Sequence, residues 1–265
     1  MLGTRHKGSL TWADLGTPDL PAASSFYASV LGWRADEGDE DFGGYVTYRS
    51  EGDAVAGGMT VPESQDAPAW TVYFRTPDVD ATAKAVEEAG GTVAMEPMDV
   101  GELGRMTVCA DPAGAGFGLW QAGTMQGFDA FGRTGACCWA ELFTPDIEGA
   151  TAFYGSVLGI QTFDVSYPTG SYTTLHPAEA GVDAMFGGVV EQSTDASEAD
   201  GPAHWLPYFA VADCDAAAAA AGGGGGTVRV DPLDVPDVGR LARFADPFGA
   251  RFAVLKPKPR QGDAE

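Results

Sequence analysis

Positive charge is scarce in this sequence. Fifteen lysines and arginines stand against 38 aspartates and glutamates, and the formal charge of -23 is spread along the chain rather than gathered in one block. Such a surface repels a phosphate backbone and an anionic leaflet, so neither nucleic acid nor membrane is expected as a partner. Long apolar runs are absent as well: no stretch approaches the roughly 20 residues that span a bilayer, and the opening Met-Leu-Gly-Thr-Arg-His-Lys has no apolar segment behind its charges. A cytoplasmic location is the resulting expectation. Cysteine is also rare. Cys109, Cys137, Cys138 and Cys214 form no CxxC pair and fit neither a disulfide framework nor a zinc site. Their expected role is that of small buried apolar side chains.

What is present suffices for two ordinary domains with real cores: 265 residues, 45% of them apolar. The dominant feature is a repeat. Trp12-Ala-Asp-Leu-Gly-Thr-Pro-Asp19, Phe26-Tyr27 and Val30-Leu31-Gly32 return as Trp139-Ala-Glu-Leu-Phe-Thr-Pro-Asp146, Phe153-Tyr154 and Val157-Leu158-Gly159. Trp70, Tyr73-Phe74, Asp78 and Gly90-Gly91-Thr92-Val93 return as Trp205, Tyr208-Phe209, Asp213 and Gly225-Gly226-Thr227-Val228. Gly104-Arg105, Ala110-Asp-Pro112, Gly114 and Phe117 return as Gly239-Arg240, Ala245-Asp-Pro247, Gly249 and Phe252. The halves are a duplication, and a self-similarity of this kind governs the fold.

A fainter period divides each half again, giving four modules over 8–63, 69–122, 136–190 and 203–257, with 123–135 as the linker between domains 8–122 and 136–257 and 258–265 as a tail. Each module opens with a short strand (Leu10–Leu15, Thr71–Arg75, Cys138–Leu142, Leu206–Val211) closed by an Asp able to cap the next helix. Phe26, Val30 and Leu31, and their copies Phe153, Val157 and Leu158, have the spacing of a helix's core stripe. Three further strands complete each module, among them Gly44–Arg49 and Ala54–Val61. Asp111-Pro-Ala-Gly114 and Asp246-Pro-Phe-Gly249 read as type I turns in each domain's last hairpin. Ala216–Ala221 with Gly222–Gly226 reads as an alanine helix ended by glycines. Polar or small segments at Glu63–Ala69, Glu191–Ala203 and Gly123–Gly135, and the tail from Lys256, read as linkers. The fold class is α+β, four βαβββ modules paired into two tandem domains.

Strand, Asp, Phe-Tyr helix and Val-Leu-Gly, closed by Asp-Pro-x-Gly, resemble the vicinal-oxygen-chelate (glyoxalase/bleomycin-resistance/dioxygenase) superfamily over nearly the whole chain. Trp-Ala-Asp/Glu-Leu, Trp-x-x-Tyr-Phe and Gly-Arg bring it nearest to two-domain actinobacterial glyoxalase-like or "hydroxylase"-named members. The resemblance implies that each pair of modules curls into a cup around a ligand cavity. It also implies where metal-dependent members place their ligands: seven residues before the capping Asp, which here gives Trp12, Thr71, Trp139 and Leu206, and on the last strand, which gives Gly118 and Ala253. The first and third modules offer Gly57-Gly58 and Gly187-Gly188. A transition metal takes imidazole, thiolate or carboxylate. The three histidines, His6, His176 and His204, cannot make two-histidine-one-carboxylate sites in both domains, since His6 precedes the first strand. No metal and no cofactor are therefore expected, and glyoxalase or dioxygenase chemistry is disfavoured.

Alternate strand residues share a face. If Trp12 points into a cup, so does Asp14, joined by Thr71, Tyr73, Gly118 and Trp120. In the second domain the set is Trp139, Glu141, Leu206, Tyr208, Arg251 and Ala253. Phe117 with Leu119, and Phe252 with Val254, then belong to the helix-packed face. Indoles, a phenol, missing bulk at glycine and one carboxylate suit a flat, largely apolar ligand with a polar handle, or else aromatics that fill the cup. Asp14 and Glu141 are the candidates for a general base or a ligand anchor, with a pKa raised among indoles; a carboxylate paired to an arginine or backbone donor is the alternative. Arg105 and Arg240 are expected to bridge Asp99 or Asp111 and their copies. Tyr45 and Tyr172 either line the mouth or pack as strand aromatics, and Trp33 is placed off the binding surface. Three readings stay open: a metal-independent binder of an aromatic or polyketide-like molecule, a metal-free enzyme of natural-product metabolism using Asp14 or Glu141, and a signalling or structural protein with filled cups. The sequence leaves open whether the chain forms a homodimer.

Overall fold

A computed structural model describes residues 5–62, 67–167, 170–199 and 201–258. Its elements follow the four modules. The opening strands are β1 (Leu10–Thr17), β5 (Ala69–Arg75), β9 (Cys137–Thr144) and β13 (His204–Ala210). The helices are α1 (Leu20–Leu31), α2 (Val79–Glu88), α3 (Ile147–Leu158) and α4 (Cys214–Gly223). Three strands follow each helix: β2 (Arg34–Ala35), β3 (Val46–Ser50) and β4 (Asp53–Thr60); β6 (Thr92–Val100), β7 (Gly104–Ala110) and β8 (Gly116–Ala122); β10 (Ile160–Tyr167), β11 (Gly170–Pro177) and β12 (Gly187–Glu191); β14 (Thr227–Val235), β15 (Gly239–Ala245) and β16 (Arg251–Pro257). They form two eight-stranded sheets, β2-β3-β4-β1-β5-β8-β7-β6 and β10-β11-β12-β9-β13-β16-β15-β14.

Every helix starts where an Asp carboxylate takes its first free N–H groups. Asp19 accepts from Ala22 N, Asp78 from Ala81 N and Asp146 from Gly149 N, each at 2.9 Å, and Asp213 from Asp215 N and Ala216 N. Gly32 and Gly159 end α1 and α3 in the left-handed region, at φ 72° and 68°, which glycine adopts without strain. Against expectation, the strand placed at Gly44 begins at Val46, because Gly43 and Gly44 turn through positive φ. Of the expected linkers, residues 63–66 lie outside the described part and Ala69 already opens β5. The segment after β12 is no loose tether, since buried Gln192 donates from Nε2 to the carbonyls of Glu198 and Gly201. The expected tail at Lys256 begins inside β16, and residues 259–265 lie outside the described part.

The chain divides into two compact units. One comprises Met1–Ala13, Thr71–Asp129 and Trp139–Leu206, the other Asp14–Trp70, Ala130–Cys138 and Pro207–Glu265. The sheets follow the sequence halves, whereas helix packing joins a module of one half to a module of the other: α2 with α3, and α1 with α4. In the first unit Phe117 meets Phe153 and Tyr154, and Phe74 meets Tyr154 and Trp205. In the second Phe252 meets Phe26 and Tyr27, while Trp33 packs on Tyr27, Tyr48, Trp70 and Phe209. The parity that assigned Phe117 and Phe252 to the helix-packed face holds. Trp33 is a core residue, its Nε1 donating to Gly135 O at 2.7 Å, so replacing it would damage the fold.

At the centre of each unit lies one hydrogen-bonded chain. Trp70 Nε1 donates to Tyr27 Oη at 2.9 Å, and Tyr27 donates to Asp246 Oδ2 at 3.1 Å. In the other unit Trp205 Nε1 donates to Tyr154 Oη at 2.8 Å, and Tyr154 to Asp111 Oδ2 at 3.2 Å. The second oxygen of each Asp accepts backbone N–H groups two and four residues on, from Ala113 and Ala115, or from Phe248 and Ala250. An indole N–H only donates, a carboxylate only accepts, and the phenol does both, so every polar atom of the chain is satisfied in a dry interior. Asp111 and Asp246 thus do more than shape a turn. They do not meet the neighbouring arginines: of the two expected partners, Asp99 or Asp111 and their copies, Arg105 takes Asp99 and Arg240 takes Asp234, and each also pairs with a helix aspartate, Asp80 or Asp215. The reason is reach, because the arginines fork over the exposed first turn of the helix while the aspartates are buried beneath it.

Tyr154→Phe leaves an indole N–H and a carboxylate oxygen without their bridge, which is expected to cost about 2–4 kcal/mol and to lower Tm by roughly 5–10 °C. Thermal and denaturant unfolding measure this, and a cost below about 0.5 kcal/mol would refute it. Burial pushes the Asp111 and Asp246 carboxyls above their ordinary 3.8, with backbone N–H donors opposing. A raised folded pKa gives stability that is complete below 3.8 and is lost as pH rises through the folded value. Asp111→Asn should therefore gain stability relative to wild type on going from acid to neutral pH; the reverse trend in denaturant midpoints would show the sign to be wrong.

Candidate functional site

On β9, Ala140 and Leu142 are fully buried, while Trp139 and Glu141, of the opposite parity, are half-buried. Glu141 stands opposite Gly188 in the parallel pairing of β9 with β12. Gly188 has no side chain to obstruct the Tyr172 ring, which reaches from β11 across it; a Cβ there would collide with the Tyr172 hydroxyl. The phenol is therefore held between two partners. Trp139 Nε1 donates to Tyr172 Oη at 3.0 Å, and Tyr172 Oη donates to Glu141 Oε1 at 2.8 Å. The sequence singled out Trp139 and Glu141 and left Tyr172 undecided; the structure brings the three together, with Tyr172 the link.

In the first half the corresponding residues are more deeply placed. Trp12 is buried with its ring 5.4 Å from Phe128, Asp14 is 8% exposed and stands opposite Gly57, and a Cβ at Gly57 would collide with the Tyr45 hydroxyl. Tyr73 is buried with its ring against Gly118, so this glycine makes room for a phenol and not for open space. Trp120 is buried over Gly104 and donates from Nε1 to Met125 O at 3.0 Å; Thr71 is half-buried.

Toward the end of the second half, Leu206 is buried on β13, and Tyr208 stands opposite Ala253 on β16. Arg243, opposite Ala253 on the other side, is buried and donates from Nε to Tyr208 Oη at 3.0 Å. Arg251 is half-buried on the same strand face as Ala253. Arg243 escaped notice in the sequence, although aligning the halves shows Val108 in its place, and a charge gained at one copy of an apolar repeat position is a readable signal. The remaining candidates have local roles. His176 is buried and donates from Nδ1 to Pro177 O at 3.2 Å, and His204 lies 3.2 Å from Glu198 and stacks on Phe143. Cys138 and Cys109 have thiols pushed up by burial, Cys109 to about 11, which makes them unreactive. A shallow groove on the helix side is bordered by Ala89, Asp111, Pro112, Pro145 and Phe153, none of them an expected ligand-lining residue.

A transition-metal centre does not fit the positions the superfamily uses. Trp12, Trp139, Leu206, Gly118 and Ala253 carry no metal donor, and Tyr45, Tyr73 and Tyr172 lie across Gly57, Gly118 and Gly188. Among the described residues, no three His, Cys, Asp or Glu side chains are grouped to hold a metal ion. Also among the described residues, no helix is long and apolar enough to cross a membrane.

Paired βαβββ modules define a recognisable class, and the sequence profile of the Glyoxalase/Bleomycin resistance protein/Dioxygenase superfamily matches residues 9–119 and 137–254: the chain belongs to that superfamily. It is 40% identical over 264 residues to the anthracycline biosynthesis protein DauV of Streptomyces sp. (strain C5), covering 94% of this chain and 93% of that protein. It is also 40% identical over 262 residues to CFP32, a provisionally named glyoxylase of Mycobacterium tuberculosis (strain CDC 1551 / Oshkosh), covering 97% of each. Among solved structures, the 2,3-dioxygenase LapB from Pseudomonas sp. KL28 superposes with a TM-score of 0.63 at 16% identity, over 98% of this chain and 96% of that one. The Mn(II)-bound glyoxalase from Novosphingobium aromaticivorans superposes with a TM-score of 0.64 at 17% identity, over 95% and 84%. These two share the fold.

Two neighbouring glycines of β8 test the account of Tyr73. Gly118→Ala must displace a buried ring and is expected to cost about 1–3 kcal/mol, because the second half holds its phenol beside Ala253 with Arg243, where the first half has Val108. Gly116→Ala meets no atom within 4 Å and should change stability by less than about 0.5 kcal/mol. Equal effects in chemical denaturation would remove this explanation of Gly118.

Proposed function

We propose that the chain binds a planar, largely aromatic small molecule of polyketide type in its second half, without a resident metal. One observation carries this reading: Trp139, Tyr172 and Glu141 form a hydrogen-bonded set that is half-buried, with indole and phenol faces beside a fixed carboxylate. Rings in such a place stack on flat ligands, and a carboxylate supplies the polar anchor that orients them. The relative named for anthracycline biosynthesis supports the ligand class, since anthracyclines are planar polycyclic polyketides. The absence of donors at Trp12, Trp139, Gly118 and Ala253 supports binding without a metal.

A second reading has its own observation. Glu141 takes a hydrogen bond from Tyr172, and a carboxylate coupled to a phenol is equipped to move a proton on a bound natural product. An isomerisation, cyclisation or hydration would follow from that.

Calorimetric and tryptophan-fluorescence titration with polycyclic hydroxyquinones should give a Kd of about micromolar order. Trp139→Ala should weaken binding at least about tenfold. Turnover that disappears in Glu141→Gln while binding persists would establish the enzyme reading; no binding by any planar polycycle would overturn both. Elemental analysis of the purified protein should find well under one equivalent of zinc, iron, nickel or manganese, and one equivalent per domain would refute metal-independence.

A further inference from the structure

Resting on the binding reading above, we propose that the segment 123–128 is a strap that closes the aromatic face of the first half, with the Phe128 ring in the place of a ligand ring. A chain then takes one planar aromatic ligand, in its second half, and keeps a latent second site beneath Phe128. The duplicated tryptophans differ in cover. Trp12 is buried, with the Phe128 ring centred 5.4 Å away and tilted 35° to it, whereas its copy Trp139 is half-buried. A ring at that distance makes the contact that a bound aromatic molecule would make.

Polar bonds fasten the strap on either side of this ring. Trp120 donates from Nε1 to Met125 O at 3.0 Å, and Arg75 donates from Nη1 to Gln126 O and from Nη2 to Gln126 Oε1, each at 3.0 Å. Gln126 Nε2 turns back to Gly123 O at 2.7 Å, and Phe128 N donates to Thr11 O at 2.9 Å. Gly127 stands between them at φ 107°, where a Cβ would strike Thr11 O, so glycine alone lets the backbone come close enough to bring the next ring to Trp12. The bonds to Gln126 are exposed to water, which replaces them at small net cost, so the strap opens more readily than a core strand. The duplication supplies a second, independent observation. With the final strands in register at Phe117 and Phe252, Gln126-Gly127-Phe128 corresponds in sequence to Gln261-Gly262-Asp263. Gln-Gly is kept and the ring is exchanged for a carboxylate, which fills no aromatic slot because it would have to shed its hydration.

Phe128→Asp gives the first half the residue of the second. In calorimetric titration with alizarin, a planar hydroxyanthraquinone, wild type should take about one equivalent per chain and Phe128→Asp about two. Trp12→Ala added to Phe128→Asp should return the count to about one, which separates a site over Trp12 from binding elsewhere. Arg75→Ala frees Gln126 without touching the ring and should admit the second equivalent at least about tenfold more weakly than Phe128→Asp does. Circular-dichroism melts establish that each variant is folded, and Arg75→Ala, at a partly exposed position, decides alone should Phe128→Asp not fold. Wild type at about two equivalents, or folded Phe128→Asp and Arg75→Ala that stay at one, refutes the strap and leaves the second-half site standing. Variants that gain an equivalent while wild type binds none refute the second-half reading and keep the strap. Alizarin binding to none of these proteins overturns both.

Discussion

A phenol enclosed by aromatic rings needs both a donor and an acceptor, because a buried hydroxyl left unmatched costs free energy that packing has to offset. Tyr27 and Tyr154 meet this need in the same way, each with an indole above and a turn carboxylate below. The constraint explains why Phe-Tyr, the Trp before Tyr-Phe, and Asp-Pro-x-Gly travel together through the duplication. They are three parts of one hydrogen-bonded chain. It also explains why modules pair across the halves, since the Tyr of one half takes its Asp from the other.

The two faces of the strands consequently do different work. The helix side is sealed by Phe117, Phe252 and their neighbours, and carries the two Trp–Tyr–Asp chains. The other face carries the repeated tryptophans and carboxylates, and there the halves have diverged. Trp12 and Asp14 are buried, whereas Trp139 and Glu141 remain partly open and are joined by Tyr172. The first half has Val108 and Gly116 where the second has Arg243 and Arg251. Duplication preserved the packing chain and released the opposite face to change.

That release bears on how the superfamily's name should be used for this chain. Solved structures with the same fold include a 2,3-dioxygenase and a Mn(II)-bound glyoxalase, but a fold is a scaffold on which sites are replaced. Here the ligand-bearing positions hold Trp, Leu, Gly and Ala, and tyrosine rings lie where the glycines leave the backbone bare.

The sequence by itself determined the modules, their capping aspartates, the helix stripes and the parity of each strand, because all of these depend on neighbours within a few residues and on periods of 2 and 3.6. It also disclosed Trp139 and Glu141 as a pair on one strand face. It did not disclose that Asp246 serves Tyr27, a residue 219 positions away, nor that Tyr172 crosses Gly188 to join Trp139 to Glu141. The turn aspartate looked complete in its local role, and nothing along the chain told whether the arginine beside it would take that aspartate or Asp99, since a sequence shows proximity along the chain and not burial. Only the tertiary structure decides which oxygen faces a phenol and which faces water, because that depends on how deep each strand lies once modules far apart in sequence have packed.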